Sequence, residues 1–100
     1  MIAASQLEMD IVRKIIEKYV PDCTVLAFGS RFKQTHNDAS DLDLAIVCEE
    51  RLSIFTLAHI KEDFMESDIP YKVDVLDYHA VSDSFRKIID AAHEVVYRKN

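Results

Sequence analysis

One glycine in 100 residues is what this chain most conspicuously lacks. Turns and loops normally draw on several, for positive φ angles or close backbone approach. The shortage excludes glycine-rich linkers, and no internal repeat or low-complexity segment is present. Cysteine is nearly as scarce: Cys23 and Cys48 offer no disulfide framework, and neither has a nearby Cys or His at ligand spacing for zinc. Both lie in apolar surroundings beside predicted strands and read as buried free thiols of a reducing cytosol. No apolar run approaches a membrane span, and "MIAASQLEMD" lacks the basic-then-apolar order of a signal peptide. Clustered Lys and Arg are missing too. With 18 acidic and 12 basic residues the net charge is -6, which argues against a duplex-DNA or RNA footprint. Small anionic ligands carried with a divalent metal remain, because the metal reverses the local electrostatics. The expectation is one soluble, cytoplasmic domain over residues 1–100.

What is present alternates between helix and strand patterns. Ser5 and Glu8 form a capping box that opens a helix, with Leu7, Ile11, Ile15 and Tyr19 at four-residue spacing and Val12 and Ile16 widening the stripe. Pro21 ends it. "CTVLAF" reads as a buried strand, Ser30 to about Lys33 as a short helix, and "QTHNDAS" as polar loop. "DLDLAIVCE" predicts a strand that is exposed at its start and buried afterwards. Ser53 caps a helix with Leu57, Ile60 and Phe64 inward, and "YKVDVLDY" after Pro70 is a third strand. Ser82 caps a last helix whose Phe85, Ile88, Ile89 and Ala92 share one face, and Val95 and Val96 favour an edge strand in "EVVYR". The fold class is therefore α/β (α+β), a small mixed sheet with helices packed on it.

Asp41 and Asp43 share one face of their strand, while Leu42, Leu44 and Ile46 point to the core. Two carboxylates so close repel unless a cation lies between them, and hard oxygen ligands suit magnesium or manganese. Alone, Asp-x-Asp describes a solvated strand end. Asp74, which interrupts the apolar alternation of another strand, changes that: if the strands are neighbours, three carboxylates converge. Such a set holds two metals about 3.5–4 Å apart for in-line displacement at phosphorus. Gly29 and Ser30, at a strand end before a short helix, are placed to bind phosphate, with Arg31 adding positive charge or serving the surface.

Gly29-Ser30, ten intervening residues, Asp41-x-Asp43 and the later Asp74 resemble the signature of the DNA polymerase β-like nucleotidyltransferase superfamily. "FGSR", "SDLDLAIV" and "VDVLDY" in so short a chain are similar to the minimal nucleotidyltransferases, antitoxin partners of HEPN-domain toxins. The resemblance implies magnesium-dependent transfer of AMP from ATP, with release of pyrophosphate. It implies that Asp41 and Asp43 hold both ions, that Asp74 binds the catalytic one and helps deprotonate the acceptor, and that Gly29 and Ser30 hold the β and γ phosphates. It also implies a toxin tyrosine as acceptor and silencing of the toxin's RNase activity. One position departs from the pattern: Gln34 stands where relatives often carry a second glycine.

The remaining polar residues read more plainly. His36, His59, His79 and His93 have no paired spacing, and only His36 lies beside the site. Asp77 has the opposite parity to Asp74 and reads as a turn or cap, Asp38 as a polar turn, and Ser40 either as a loop cap or as a phosphate contact. So little chain is left over that a partner is expected to present the acceptor, docking on the last helix or on the Val95–Tyr97 edge. Two alternatives stand beside this reading: an antitoxin that binds nucleotide or docks without catalysis, and a small-molecule nucleotidyltransferase.

Overall fold

In the computed structural model the described residues are 2–33 and 40–99, so the expectations for Gln34, His36 and Asp38 lie outside them. Helix α1 (Gln6–Tyr19) opens on the capping box the sequence spells: Glu8 N donates to Ser5 Oγ at 3.1 Å and Ser5 N to Glu8 Oε1 at 3.0 Å. Its buried face is Val12, Ile15 and Ile16, whereas Leu7 is 77% exposed, against the expected stripe. The reason is rotational. Each four-residue step overshoots a full turn by about 40°, so Leu7 lies well off the face that Tyr19 occupies.

The strands are β1 (Thr24–Phe28), β2 (Leu42–Val47), β3 (Val73–Asp77) and β4 (Glu94–Tyr97), in the sheet order β3-β2-β1-β4. β1 pairs antiparallel with both β2 and β4, and β2 pairs parallel with β3. A parallel pair needs a crossover, supplied here by α3 (Ile54–Met65) with Ser53 as its N-cap. Helix α2 (Gly29–Lys33) follows β1 directly, and α4 (Asp83–Ala91) starts at Ser82 as its N-cap.

Period-two alternation divides the sheet between two cores. Val25, Ala27, Leu42, Leu44, Ile46 and Val75 face α1 and α3, packing with Val12, Ile16, Ile60 and Phe64. On the other face Leu26, Phe28 and Ala45 meet Ile89 of α4. Of the face expected on that helix only Ile89 is fully buried; Phe85 and Ile88 are 37% and 60% exposed. The second core is small, so α4 seats one residue and leaves its neighbours at the rim. Among the described residues no helix is long and apolar enough to cross a membrane.

The cysteine expectation is corrected by the structure. Cys23 and Cys48 form a disulfide, not two free thiols. The cause is register: Thr24 pairs with Val47, so Cys23 and Cys48 are the next positions along the same antiparallel ladder, with Cα atoms 4.6 Å apart. That is the close spacing of a non-hydrogen-bonded pair, which brings the side chains together.

Candidate active site

The lone glycine has a definite location. Gly29 follows the last residue of β1 and opens α2 with φ +78°, a conformation L-residues rarely adopt, and a Cβ there would run into the Asp43 carboxylate, with Cγ at 3.1 Å. Glycine is therefore required twice over, by backbone angle and by close approach. Across the sheet Phe28 pairs with Asp43, and Asp43 pairs with Asp74 in the parallel ladder. Register partners share a face, so both carboxylates emerge on the α4 side at one end of the sheet. Asp41, one residue before β2, has the same parity as Asp43. The intervening Leu42 is fully buried and anchors the strand between them.

This convergence has an electrostatic signature. Burial pushes the Asp43 carboxyl up to about 6, and the charges of Asp74 and then Asp41 push in the same direction, partly offset by Lys72. Among the described residues no three carboxylate, imidazole or thiolate groups are gathered within ligating reach of one point. The looser set that is present fits a hard divalent cation in its chemistry: all donors are oxygens, and the repulsion felt at Asp43 is what a cation would relieve.

Ser30, in the first turn of α2, is half-buried beside Gly29. Arg31 is buried at 6% exposure and turns away toward the chain's own backbone. Its Nε donates to Ser40 O at 2.9 Å, its Nη1 to Ala3 O at 3.0 Å, and its guanidinium stacks over the Tyr71 ring at 3.5 Å. Tyr71 in turn donates to Glu8 Oε1 at 2.7 Å, and burial, followed by Glu8, pushes its phenol well up. Arg31 thus ties α2 to the residue just before Asp41, to the N-terminal segment and to the approach to β3. No sequence pattern links residues 8, 31 and 71, which meet only through the tertiary fold.

Asp77 takes the capping part its parity predicted: its carboxylate, 3% exposed, accepts from Leu52 N at 2.7 Å and His79 N at 3.0 Å. The described histidines are engaged in the frame. His79 Nε2 lies 2.6 Å from Cys48 O, His93 Nδ1 lies 2.8 Å from Ile89 O, and His59 stacks on Tyr19 at 6.2 Å.

Comparison with known proteins agrees with this geometry. The family described as "Polymerase beta, Nucleotidyltransferase" matches residues 11–100. The chain is 47% identical over 92 residues to the probable protein adenylyltransferase MntA of Haemophilus influenzae, covering 92% of this chain and 81% of that protein. Among solved structures, a chain of a toxin–antitoxin complex with AMP-PNP superposes with a TM-score of 0.78 at 17% identity, over 92% of this chain and 74% of that one. A chain from the tri-AMPylated Shewanella oneidensis HEPN toxin in complex with MNT antitoxin gives 0.72 at 17% identity, over 94% and 72%. At such identities the structural matches speak to the fold.

Proposed function

Because the chain belongs to the polymerase β nucleotidyltransferase family, we propose that it transfers AMP from ATP to a tyrosine hydroxyl of a HEPN-domain toxin and so acts as its antitoxin. The observation that carries this reading is the pairing of Asp43 with Asp74 across neighbouring strands, with Gly29 opened against Asp43. Its relatives' names point the same way, one a protein adenylyltransferase and one a HEPN toxin bearing AMP beside its antitoxin.

Gly29 gives the triphosphate access to backbone N–H groups, and the Ser30 hydroxyl donates a further hydrogen bond. Asp41, Asp43 and Asp74 would hold magnesium, which when bound stabilises the charge developing on the phosphoryl oxygens. Asp74, outermost of the three on the edge strand, accepts the proton of the acceptor hydroxyl. Arg31 keeps the Ser40–Asp41 segment in place through the Ser40 carbonyl. A docking-only antitoxin would gain nothing from the carboxylate repulsion tolerated here.

The test is direct. With labelled ATP, magnesium and the HEPN partner, label is expected on the partner, and Asp41→Asn with Asp43→Asn is expected to lower the rate by at least about a thousandfold. Undiminished transfer by that variant would sink the mechanism. Neutralisation of the toxin unaffected by the variant would favour docking alone.

A further inference from the structure

Asp43 is gripped from both sides by the sheet, pairing with Phe28 and with Asp74. Asp41 lies outside that grip. The β2–β3 ladder opens at Leu42 and Val73, with Leu42 N donating to Lys72 O at 2.9 Å, and Asp41 is one residue earlier. Asp74 is the second residue of an edge strand. Carboxylates that push on one another are therefore carried on two strand ends, where repulsion favours splaying them apart.

A set of contacts on the opposite face of the sheet resists this. Tyr71, two residues before β3, packs against the core shared with α1 and α3, whereas the carboxylates emerge on the α4 side. Its ring carries the Arg31 guanidinium at 3.5 Å, and Arg31 Nε reaches Ser40 O, in the residue before Asp41. One stacked pair thus joins the approach to Asp41 with the approach to Asp74. The pair is itself anchored. Glu8 Oε1 accepts from Tyr71 Oη at 2.7 Å and from Ser5 N at 3.0 Å, in the first turn of a helix whose Val12 and Ile16 are fully buried. Ala3 holds Arg31 from the other side: Ala3 N donates to Arg31 O at 3.0 Å, and Ala3 O accepts from Arg31 Nη1 at 3.0 Å. A planar guanidinium can stack on a ring while its fork meets two carbonyls, which an ammonium cannot do. The nearby Glu8 charge keeps this buried cation from being unpaired.

We propose that Glu8, Tyr71 and Arg31 form a clamp behind the sheet that fixes the separation of Asp41 and Asp74, and that they are positioning residues for the metal-holding carboxylates. The inference rests on the metal-dependent adenylyl-transfer reading and adds what holds its carboxylates in place before the cation arrives. The clamp touches neither nucleotide nor acceptor.

Three variants take it apart. Tyr71→Leu removes the ring, Tyr71→Phe keeps the ring and loses only the bond to Glu8, and Arg31→Lys keeps the charge without the fork. The first readout is binding: the magnesium concentration that gives half of the full rise in Tm at saturating ATP. Tyr71→Leu and Arg31→Lys should each raise that midpoint about tenfold or more and lower kcat for toxin labelling by a similar factor, with the KM for the toxin unchanged. Tyr71→Phe should recover most of both. Tyr19→Phe is the control, because Tyr19 Oη donates to Asp63 at 2.9 Å at the far end of α1. Its loss should lower Tm without moving the midpoint. A midpoint unmoved by Tyr71→Leu or by Arg31→Lys, or moved as far by Tyr19→Phe, would overturn the positioning role. Arg31→Lys decides by the same measure if Tyr71→Leu does not fold. A wild type that shows the magnesium-dependent rise but labels no toxin overturns the adenylyl-transfer reading, while the midpoints still judge the clamp.

Discussion

The β1–β2 ladder has two ends of opposite character. At one end Cys23 and Cys48 are covalently joined across the strands. At the other, Phe28 faces Asp43, Gly29 has no side chain, and Asp43, Asp41 and Asp74 press on one another. The same register produces both. It puts two thiols opposite each other at one end, and at the other it brings a carboxylate against a glycine. A one-residue slip of β2 would send Asp43 to the core face and Leu44 to the site, so register is the quantity this protein must protect. The disulfide closes a loop with a sequence separation of 25, and Gly29, Ser30, Asp41 and Asp43 all lie inside it. Cohesion at one end thus supports repulsion at the other.

The comparison is broken most forcefully at the covalent end. Cys23→Ser with Cys48→Ser removes a closed loop whose entropic contribution is about 3 kcal/mol. Urea unfolding of the double variant should show a loss of that order, and reduction of the wild type should match it. The increment in stability from magnesium–ATP should survive, since neither cysteine lies near Gly29 or Asp43. Loss of the nucleotide increment together with stability would mean that the two ends are not separable.

A smaller effect is expected at the other end. Gly29→Ala must hold a left-handed backbone and displace the Asp43 carboxylate, at a cost of about 2 kcal/mol. Here nucleotide stabilisation should fall as well, because the substitution fills the space between β1 and Asp43. Gly29→Ala that keeps a full response to magnesium–ATP would remove Gly29 from the phosphate path.

How far these two ends could be read from the sequence differs for a physical reason. Local signals were legible: Ser5, Ser53 and Ser82 cap their helices because capping is a contact between residues three apart. The same-face placement of Asp41 and Asp43 follows from period two, and the meeting with Asp74 needed only one assumption, that β2 and β3 are neighbours. What was not legible depends on register across a loop. Nothing in the spacing of Cys23 and Cys48 says that they face each other, because that requires knowing which residue of β2 pairs with Thr24. Arg31 is the parallel case at the site. Its place after Gly29-Ser30 suggested a phosphate contact, whereas its buried guanidinium meets Tyr71, 40 residues later, and Ala3 O. On α1 the expected stripe holds at Ile11, Val12, Ile15, Ile16 and Tyr19, and Leu7 departs from it through the drift of four-residue spacing around the helix.

The smallest expected effect separates the ends by pH. Asp43 titrates near 6 in the folded chain against an ordinary value of 3.8, because burial and then Asp74 and Asp41 disfavour its charged form. The folded state therefore binds this proton more tightly than the unfolded state does. Its contribution to stability is full below about pH 4 and is lost as pH rises through about 6. A shift of this size corresponds to roughly 3 kcal/mol at face value, and solvent screening of a half-exposed carboxylate reduces it to about 1 kcal/mol. Asp43→Asn carries no titrating proton, so the stability of the wild type relative to this variant, without divalent metal, should fall by about 1 kcal/mol between pH 4 and pH 7. Glu8, Asp10 and Asp63 titrate lower than usual and act in the opposite direction, but they are common to both proteins and cancel in the difference. A flat difference across that range would mean that neither burial nor the neighbouring carboxylates disfavour the Asp43 charge in solution. Magnesium should then raise the stability of the wild type more at pH 7 than at pH 5, because the cation and the proton compete for the same oxygens, while a chain broken only at the cysteines should keep that response.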